Sequence, residues 1–371
     1  MARNNEDIEI VKSKLNQILD QRDMLFPKRD PQNTEAMRDA FTTYINTLRK
    51  TQKPNWEPND TFVEKVSTLH ENAVFICGEM KSGTTLILEL LDNHPELIVI
   101  PGDAHMINLI RNPSLIYNKI SDHSNSPYTN SLKDWDTYWV MRLINPLGIR
   151  PFWIFGDSED PYREFLHYLN YWLETLPFSE HCPFLAVIFS YYCANPNRGD
   201  KPKMWIEKTP SNEHKVDQIL DFFPSAKFIH TIRDPRHNIA SLRRLYGVRK
   251  WNWDVKNVSF RIKKSIETGL MNQKKLGKER YHIVHYEDLI MNPNIELKRI
   301  TSFLQIPFYE NLLYPSVNGF PAKSNTMFQE REIQGGILAE TRKNWQTEFK
   351  HQEQKIITSI LSPVANKLGY K

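Results

Sequence analysis

The sequence predicts an α/β protein with a parallel sheet of about five strands and helices on both faces. From residue 73 onward, short apolar runs alternate with helical segments. The first run ends in a glycine turn that leads into a helix, an order typical of α/β domains. Of the 371 residues, 40% are hydrophobic and 25% are charged, which is the composition of a folded globular protein.

Five predicted strands follow one another along the chain. They cover residues 73–77, 97–100, 204–206, 226–232 and 281–285. Most of their residues are apolar, as expected where both faces of a sheet are buried. Helices are predicted from Thr84 to just before Pro95, and from Arg236 after the fourth strand.

Residues 1–70 lie outside this alternation and predict a helical N-terminal extension. Apolar residues recur there at helical spacing, at Ile8, Val11, Leu15 and Ile18. A polar stretch with two prolines, residues 51–60, separates the extension from the sheet pattern. We therefore expect the extension to serve packing or oligomerisation.

A second segment, residues 108 to about 200, predicts a mainly helical insertion rich in aromatic side chains. Phe165, Tyr168 and Trp172 fit one face of a helix, which favours a helical core with a minority of aromatics lining a binding pocket. The predicted organisation is an extension, 1–70, and one domain, 71–371, that contains the insertion.

Charge, cysteine content and hydropathy exclude several classes of protein. A net charge of +4 is small for a bulk nucleic-acid binder but compatible with a small anionic ligand. Cys77, Cys182 and Cys193 are too few and scattered for a disulfide framework or a four-ligand zinc site. The acidic N-terminus lacks a signal-peptide pattern, and no apolar run approaches the roughly 18 residues of a membrane span. The expected location is the cytoplasm, and the sequence does not predict the oligomeric state.

Residues 78–85, here called the phosphate loop, resemble a nucleotide-binding loop. Gly78 and Gly83 lie between a strand and a helix, where backbone N–H groups and the helix N-terminus bind phosphate. A triphosphate-binding loop places lysine directly after the second glycine, but Thr84 stands there and Lys81 lies inside the loop. This departure favours a ligand with one 5′-phosphate and another group attached to it.

The Lys-Ser-Gly-Thr-Thr sequence of this loop is similar to the 5′-phosphosulfate loop of the sulfotransferases. A second motif at residues 233–241, here called the arginine–serine motif, resembles the 3′-phosphate motif of that family. Arg233 ends a predicted strand and Ser241 follows eight residues later. Arginine offers a charged fork to a phosphate, and a serine two helical turns on can face the same anion.

Three further segments carry the resemblance, which spans residues 73 to 349 and leaves out the N-terminal extension and the insertion. Residues 205–210 are similar to the Glu-Lys-Thr-Pro segment of the carbohydrate-type branch, and residues 284–289 to a structural segment shared by many members. Residues 341–345 resemble a basic, tryptophan-bearing loop over the nucleotide, although the glycine often found before that tryptophan is absent.

The resemblance implies a P-loop-type fold and a sulfotransferase that moves a sulfonate from 3′-phosphoadenosine 5′-phosphosulfate to a hydroxyl acceptor, without a metal. Lys81 is implied to contact the bridging oxygen or the 5′-phosphate, and Lys208 to be a second cation near the sulfonate. The implied nucleotide-binding residues are Lys81, Ser82, Gly83, Thr84, Thr85, Arg233, Ser241, Arg342 and Lys343.

Residues 101–105 resemble the family's Pro-Gly-Glu-Thr-His segment, whose glutamate deprotonates the acceptor. Asp103 stands in that place and is one methylene shorter. His105 is the alternative base, because the unperturbed pKa of histidine suits proton transfer near neutrality. Structural roles are the other interpretation, a helix N-cap for Asp103 and packing for His105.

Residues 205–210 and 101–105 resemble the carbohydrate and protein-tyrosine branches of the family more than the small-phenol branch, and the expected acceptor is a carbohydrate, a glycolipid or a small metabolite with a hydroxyl group. Two other functions stay open on the sequence alone. A P-loop kinase would need lysine after Gly83 and a magnesium requirement. A non-catalytic nucleotide-binding protein with a sulfotransferase fold would bind the nucleotide without turnover.

Overall fold

Two compact units make up the described part of this computed structural model. The helical unit contains the described residues of Met1–His70 and Ile100–Arg198, and the sheet unit those of Glu71–Val99 and Gly199–Lys371. The residues that the structure describes are 9–13, 17, 31–50, 56–105, 107, 139–140, 143–144, 153–176, 182–249, 251–322, 337 and 344–370.

A five-stranded sheet forms the centre of the sheet unit. Its strands are β1 (Ala73–Cys77), β2 (Leu97–Val99), β3 (Met204–Lys208), β4 (Lys227–Ile232) and β5 (Tyr281–His285). Their order is β2-β3-β1-β4-β5, and every pairing is parallel. The predicted α/β class and parallel sheet are confirmed. Strand β3 runs two residues beyond its predicted end because Glu207 and Lys208, although charged, are buried and paired with β1.

The helices are, in chain order, α1 (Pro31–Lys50), α2 (Asp60–Ser67), α3 (Thr84–Leu91), α4 (Asp160–Thr175), α5 (Cys182–Ala194), α6 (Val216–Phe222), α7 (Pro235–Arg249), α8 (Val255–Leu276), α9 (Tyr286–Met291), α10 (Pro293–Leu304) and α11 (His351–Lys367). Helices α1, α2, α4 and α5 belong to the helical unit, and the others to the sheet unit. Within the described ranges, no helix combines the length and the apolar character needed to cross a membrane.

Shorter elements complete the sheet unit. They are the antiparallel pair β6 (Ser316–Val317) and β7 (Phe320–Pro321) and the 3-10 helices Asn212–Lys215, Glu310–Leu313 and Trp345–Glu348.

Helices cover both faces of the sheet, which explains the apolar strand runs. On one face, Val74, Ile76 and Ile206 pack in a cluster with side chains of α3 and α10. On the other, the rings of Phe75 and Trp205 lie 5.8 and 5.1 Å from the ring of Phe223, which follows α6. Successive strand residues thus enter two different cores.

The helical unit confirms the helix face predicted from aromatic spacing. Phe165, Tyr168 and Trp172 all lie on α4 and are buried. The Trp172 ring packs edge-on against Phe189 of α5, with 5.1 Å between the ring centroids. Three positions of the N-terminal pattern, Ile8, Leu15 and Ile18, are outside the described residues.

Candidate functional site

The predicted site residues of the sheet unit begin where four neighbouring strands end. The phosphate loop follows β1, Lys208 ends β3, Arg233 follows β4 and Tyr286 follows β5. In a parallel sheet these carboxyl ends share one edge, and ligands bind there where the strand order reverses. Strand β1 lies at that point, because β3 and β4 flank it on opposite sides.

The backbone of the phosphate loop requires both of its glycines. Gly78 and Gly83 have φ angles of 131° and 110°, which residues with a Cβ rarely adopt. A Cβ at Gly83 would lie 2.4 Å from Cδ2 of Tyr286, and one at Gly78 would lie 2.6 Å from the carbonyl oxygen of Thr231. Gly83 is also the N-cap residue of α3, and no side chain forms a capping hydrogen bond at that helix start. The N-terminus of α3 is therefore suited to an anion.

Several polar atoms at this edge are buried without a hydrogen-bond partner among the described residues. They include Oγ of Ser82, Oγ1 of Thr231 and Nε of Arg233. Ser82 is 3% exposed. Since an unpaired buried polar atom costs about 1–3 kcal/mol, their grouping beside the loop indicates a ligand that pairs with them.

Lys208 contacts the phosphate loop directly. It is 2% exposed, and its Nζ donates a hydrogen bond to Oγ1 of Thr85 over 3.1 Å. The preceding residue points the opposite way, because Glu207 accepts hydrogen bonds from Thr209 and, at 2.8 Å, from Asn212. Glu207 thus holds the chain after β3 while Lys208 presents a buried ammonium group to the loop.

Arg233 joins the arginine–serine motif to the phosphate loop. Its Nη1 donates to the carbonyl oxygen of Lys81 over 3.2 Å, and its guanidinium lies 4.7 Å from the ring centroid of Tyr286. Asn238, in the same motif, donates to the carbonyl oxygen of Met80 over 2.9 Å. Ser241 lies half-buried in α7. The two predicted phosphate motifs are therefore neighbours in the fold.

Local ion pairs stabilise the start of α7. Asp234 accepts hydrogen bonds from the backbone N–H of Arg236 at 2.9 Å and from its Nη2 at 2.7 Å, and it lies 3.3 Å from Nδ1 of His237. Burial alone would raise the pKa of Asp234, but the hydrogen bonds from His237 and Arg236 outweigh it and hold that pKa well below its usual range. Asp234 is thus a carboxylate at neutral pH.

Comparison with known proteins supports the predicted resemblance. A family model described as the sulfotransferase family matches residues 162–310, which include Lys208 and the arginine–serine motif. An omega-hydroxy-beta-dihydromenaquinone-9 sulfotransferase of Mycobacterium tuberculosis is 28% identical over 120 residues. A protein-tyrosine sulfotransferase of Drosophila melanogaster is 24% identical over 183 residues. These matches show that the chain is similar to the sulfotransferase family.

These curated matches are partial. They cover 29% and 46% of this chain, and the chain spans only 30% and 36% of the two sulfotransferases. Among solved structures, the sulfotransferase domain of a Synechococcus olefin synthase aligns with 84% of this chain and 98% of its own, at 20% identity and a TM-score of 0.49.

The structure brings together most of the residues that the sulfotransferase resemblance pointed to. The phosphate loop, Lys208 and Arg233 share one edge of the sheet unit. Asp103 and His105 belong to the helical unit, where Asp103 is half-buried and His105 is exposed with a φ of 54°. Arg342 and Lys343 lie outside the described residues.

Sequence reasoning missed the residues that hold the phosphate loop and the arginine–serine motif in place. Glu213 is 1% exposed and accepts the Gly78 N–H over 2.9 Å, and Arg261 pairs with Glu79 over 2.7 Å. Neither position carried a sequence signal, because both come from elements far along the chain. Glu287 accepts the N–H of Asp234 over 3.0 Å. Glu287 lies in the segment 284–289, and the family resemblance of that segment was the one sequence signal that pointed to it.

Proposed function

We propose that this chain transfers a sulfonate group from 3′-phosphoadenosine 5′-phosphosulfate to a hydroxyl acceptor. The observation that carries the proposal is the hydrogen bond from Arg233 to the carbonyl oxygen of Lys81, which sets the two phosphate motifs side by side. A nucleotide with phosphates on both its 3′ and 5′ positions uses both motifs, whereas a nucleoside triphosphate uses only the first.

The residues present fit such a donor. Ser82 Oγ and Arg233 Nε are buried polar atoms without partners among the described residues, and phosphate oxygens are acceptors for both. The phosphate loop and the N-terminus of α3 would hold the 5′-phosphate. Arg233 and Ser241 would hold the 3′-phosphate, and the family resemblance adds Arg342 and Lys343 as nucleotide contacts.

We assign to two lysines the role of stabilising the negative charge that develops on the leaving group during transfer. When bound, the donor supplies the sulfonate and a phosphate leaving group that gains negative charge as the sulfur–oxygen bond breaks. Lys81 lies in the loop that would hold that phosphate, and Lys208 is buried beside Thr85 of the same loop. A fixed cation in a site of low dielectric stabilises such charge more strongly than one in water.

The general base and the acceptor are proposed from the resemblance. We assign proton removal from the acceptor hydroxyl to Asp103, with His105 as the alternative base. The acceptor class is a carbohydrate, glycolipid or small metabolite hydroxyl. The named substrates of the two relatives, a hydroxylated menaquinone and protein tyrosine, belong in the same acceptor panel.

Transfer of labelled sulfonate from the donor to that acceptor panel tests the function. We expect a labelled product with at least one hydroxyl acceptor, and the same rate in the presence of EDTA, because the donor has no β,γ-phosphates for magnesium to bridge. Loss of activity with EDTA and its recovery with magnesium would favour a kinase. Nucleotide binding without product on any acceptor would favour a non-catalytic protein.

Two substitutions separate the candidate bases. Asp103→Asn is expected to lower kcat at least about a hundredfold with the donor KM nearly unchanged, because general-base catalysis contributes about 10²–10⁴-fold. His105→Ala is expected to lower kcat less. Steady-state kinetics of both variants check this order. An Asp103→Asn enzyme with wild-type kcat beside an impaired His105→Ala enzyme would transfer the role to His105.

A further inference from the structure

Helix α3 carries a buried acidic residue that the proposed mechanism does not use. Glu89 is 6% exposed, and its Oε1 atom has no hydrogen-bond partner among the described residues. Its helix begins at the phosphate loop. A carboxyl group buried this close to an anion site affects how the site binds anions, because its charge acts through a medium of low dielectric.

Glu89 shares a helix face with the contact between Thr85 and Lys208. Thr85 and Glu89 are four residues apart and therefore lie one above the other on α3. Lys208 Nζ lies 3.1 Å from Oγ1 of Thr85, whose backbone is one helical turn nearer to the phosphate loop than that of Glu89. Lys208 thus contacts the loop and also acts electrostatically on the Glu89 carboxyl group.

The charge of Glu89 depends on pH in the neutral to alkaline range. Burial raises the pKa of Glu89 to about 8, Lys208 opposes that rise, and Asp92 adds to it. Glu89 is therefore mostly a neutral carboxyl below that pH and a carboxylate above it.

Other titratable groups lie on the elements that pack against α3, which are β1, β2, β3, β6 and the 3-10 helix Glu310–Leu313, and on α10, which shares its apolar cluster. On α10, Glu296 pairs with Arg299, and Lys298 lies 5.2 Å from the ring centroid of Phe308. On β3, Glu207 accepts a hydrogen bond from Asn212 on the face of the sheet opposite Lys208. On β1, Cys77 lies on that same opposite face and interacts electrostatically with Glu207 and Glu213. Glu310 is exposed, and β2 and β6 contain no ionisable side chain. Lys208 and Asp92 are thus the charges that act on Glu89.

We propose that Glu89 is a positioning residue that controls how much of the Lys208 charge acts on a bound nucleotide. Neutral Glu89 leaves the ammonium group to the anion in the phosphate loop. Ionised Glu89 competes with the anion for the same ammonium group and repels the anion itself. This inference rests on the proposed function, because it takes the anion to be a phosphate of the donor or of its product.

Reciprocal linkage gives the proposal a binding signature. If ionised Glu89 weakens anion binding, a bound anion must raise the proton affinity of Glu89 by the same factor. Binding of 3′-phosphoadenosine 5′-phosphate at a pH near 8 should then take up protons from the buffer. The nucleotide does not supply this signal, since its phosphates titrate near pH 6.

Isothermal titration with 3′-phosphoadenosine 5′-phosphate tests the proposal on three full-length proteins: wild type, Glu89→Gln and Glu296→Gln. Glu296 is the control, a carboxyl group on α10 that is 4% exposed and pairs with Arg299. For the wild type and the control, we expect Kd to rise at least about fivefold between pH 7 and pH 9. The Kd of Glu89→Gln should stay at its pH 7 value up to pH 9.

The outcomes separate this inference from the proposed function. A wild-type Kd that does not change over this pH range, or the same change in Glu89→Gln, would overturn the role of Glu89 while leaving the nucleotide site intact. Nucleotide binding without proton uptake in the wild type would overturn it even if Glu89→Gln fails to fold. Absence of nucleotide binding in the folded wild type at every pH would contradict the proposed function and this inference with it.

Discussion

The phosphate loop and the arginine–serine motif follow neighbouring strands but are stabilised in different ways. Contacts from distant residues hold the loop: Glu213 accepts the Gly78 N–H, and Asn238 and Arg233 donate to carbonyl oxygens of the loop. The arginine–serine motif is held at its start by neighbours in sequence, because Asp234 binds Arg236 and His237.

This difference shows where each motif is vulnerable. The conformation of the loop depends on glycines and on the correct folding of β4, α7 and the segment after β3. The start of α7 depends mainly on side chains within three residues of one another, together with the hydrogen bond from the Asp234 N–H to Glu287. A substitution far along the chain should therefore disturb the loop more than it disturbs the start of α7.

Arg233 is the residue that the two motifs share, and its loss should have the largest effect. Arg233→Ala is expected to weaken binding of 3′-phosphoadenosine 5′-phosphate by about 1.5–3 kcal/mol, because a charged hydrogen bond is lost. ADP binding should weaken less, through the lost support of Lys81. Titration calorimetry with both nucleotides measures the difference. Arg244→Ala is the control, since Arg244 also lies on α7 but pairs with Glu348 instead. A variant that still prefers the 3′-phosphate fully would assign that phosphate to another cation.

Glu213 tests the long-range support of the loop. Glu213→Gln should lower the free energy of unfolding by about 1–3 kcal/mol, because the single carbonyl oxygen of glutamine can replace only one of the two carboxylate oxygens that accept from the buried N–H of Gly78 and the hydroxyl of Ser265. Urea denaturation measures the loss. Asp217→Asn is the matched control, with a carboxylate that is 73% exposed and pairs with Lys275. Equal stability of both variants would contradict the anchoring role of Glu213.

Asp234 tests the local support of the start of α7, with a smaller effect that depends on pH. Asp234→Asn should cost about 1 kcal/mol at neutral pH, because the carboxylate loses its charge-assisted contacts with Arg236 and His237. Because the folded-state pKa of Asp234 lies below its unfolded value, the wild type has this advantage above about pH 4 and loses it as the pH falls further. Denaturation at neutral and acidic pH measures this loss, and a pH-independent difference would argue against it.

The fold was largely predictable from sequence because most residues of strands β1, β2 and β4 are apolar and buried. The phosphate loop and Arg233 were predictable for a related reason: glycine positions and an arginine at a strand end are visible in the sequence itself. The end of β3 was not, since Glu207 and Lys208 are charged residues that become buried only through partners elsewhere.

The supporting residues were not predictable because their partners are set by the three-dimensional fold. Glu213 lies 135 residues from Gly78 in sequence, and Arg261 lies 182 residues from Glu79. Glu89 is the one charged residue of α3, a helix whose other residues are two threonines, four leucines and an isoleucine. The sequence could not show that Lys208 of β3 contacts Thr85 on the helix face that also carries Glu89.

Thermal denaturation with matched nucleotides tests the central claim most directly. The two phosphate motifs should make 3′-phosphoadenosine 5′-phosphate raise the Tm more than equal concentrations of ADP or ATP do, because only this nucleotide pairs with both motifs. The preference should shrink in Arg233→Ala. Equal Tm shifts with all three nucleotides, or a larger shift with ATP, would contradict the claim that this edge of the sheet binds a 3′,5′-bisphosphorylated nucleoside.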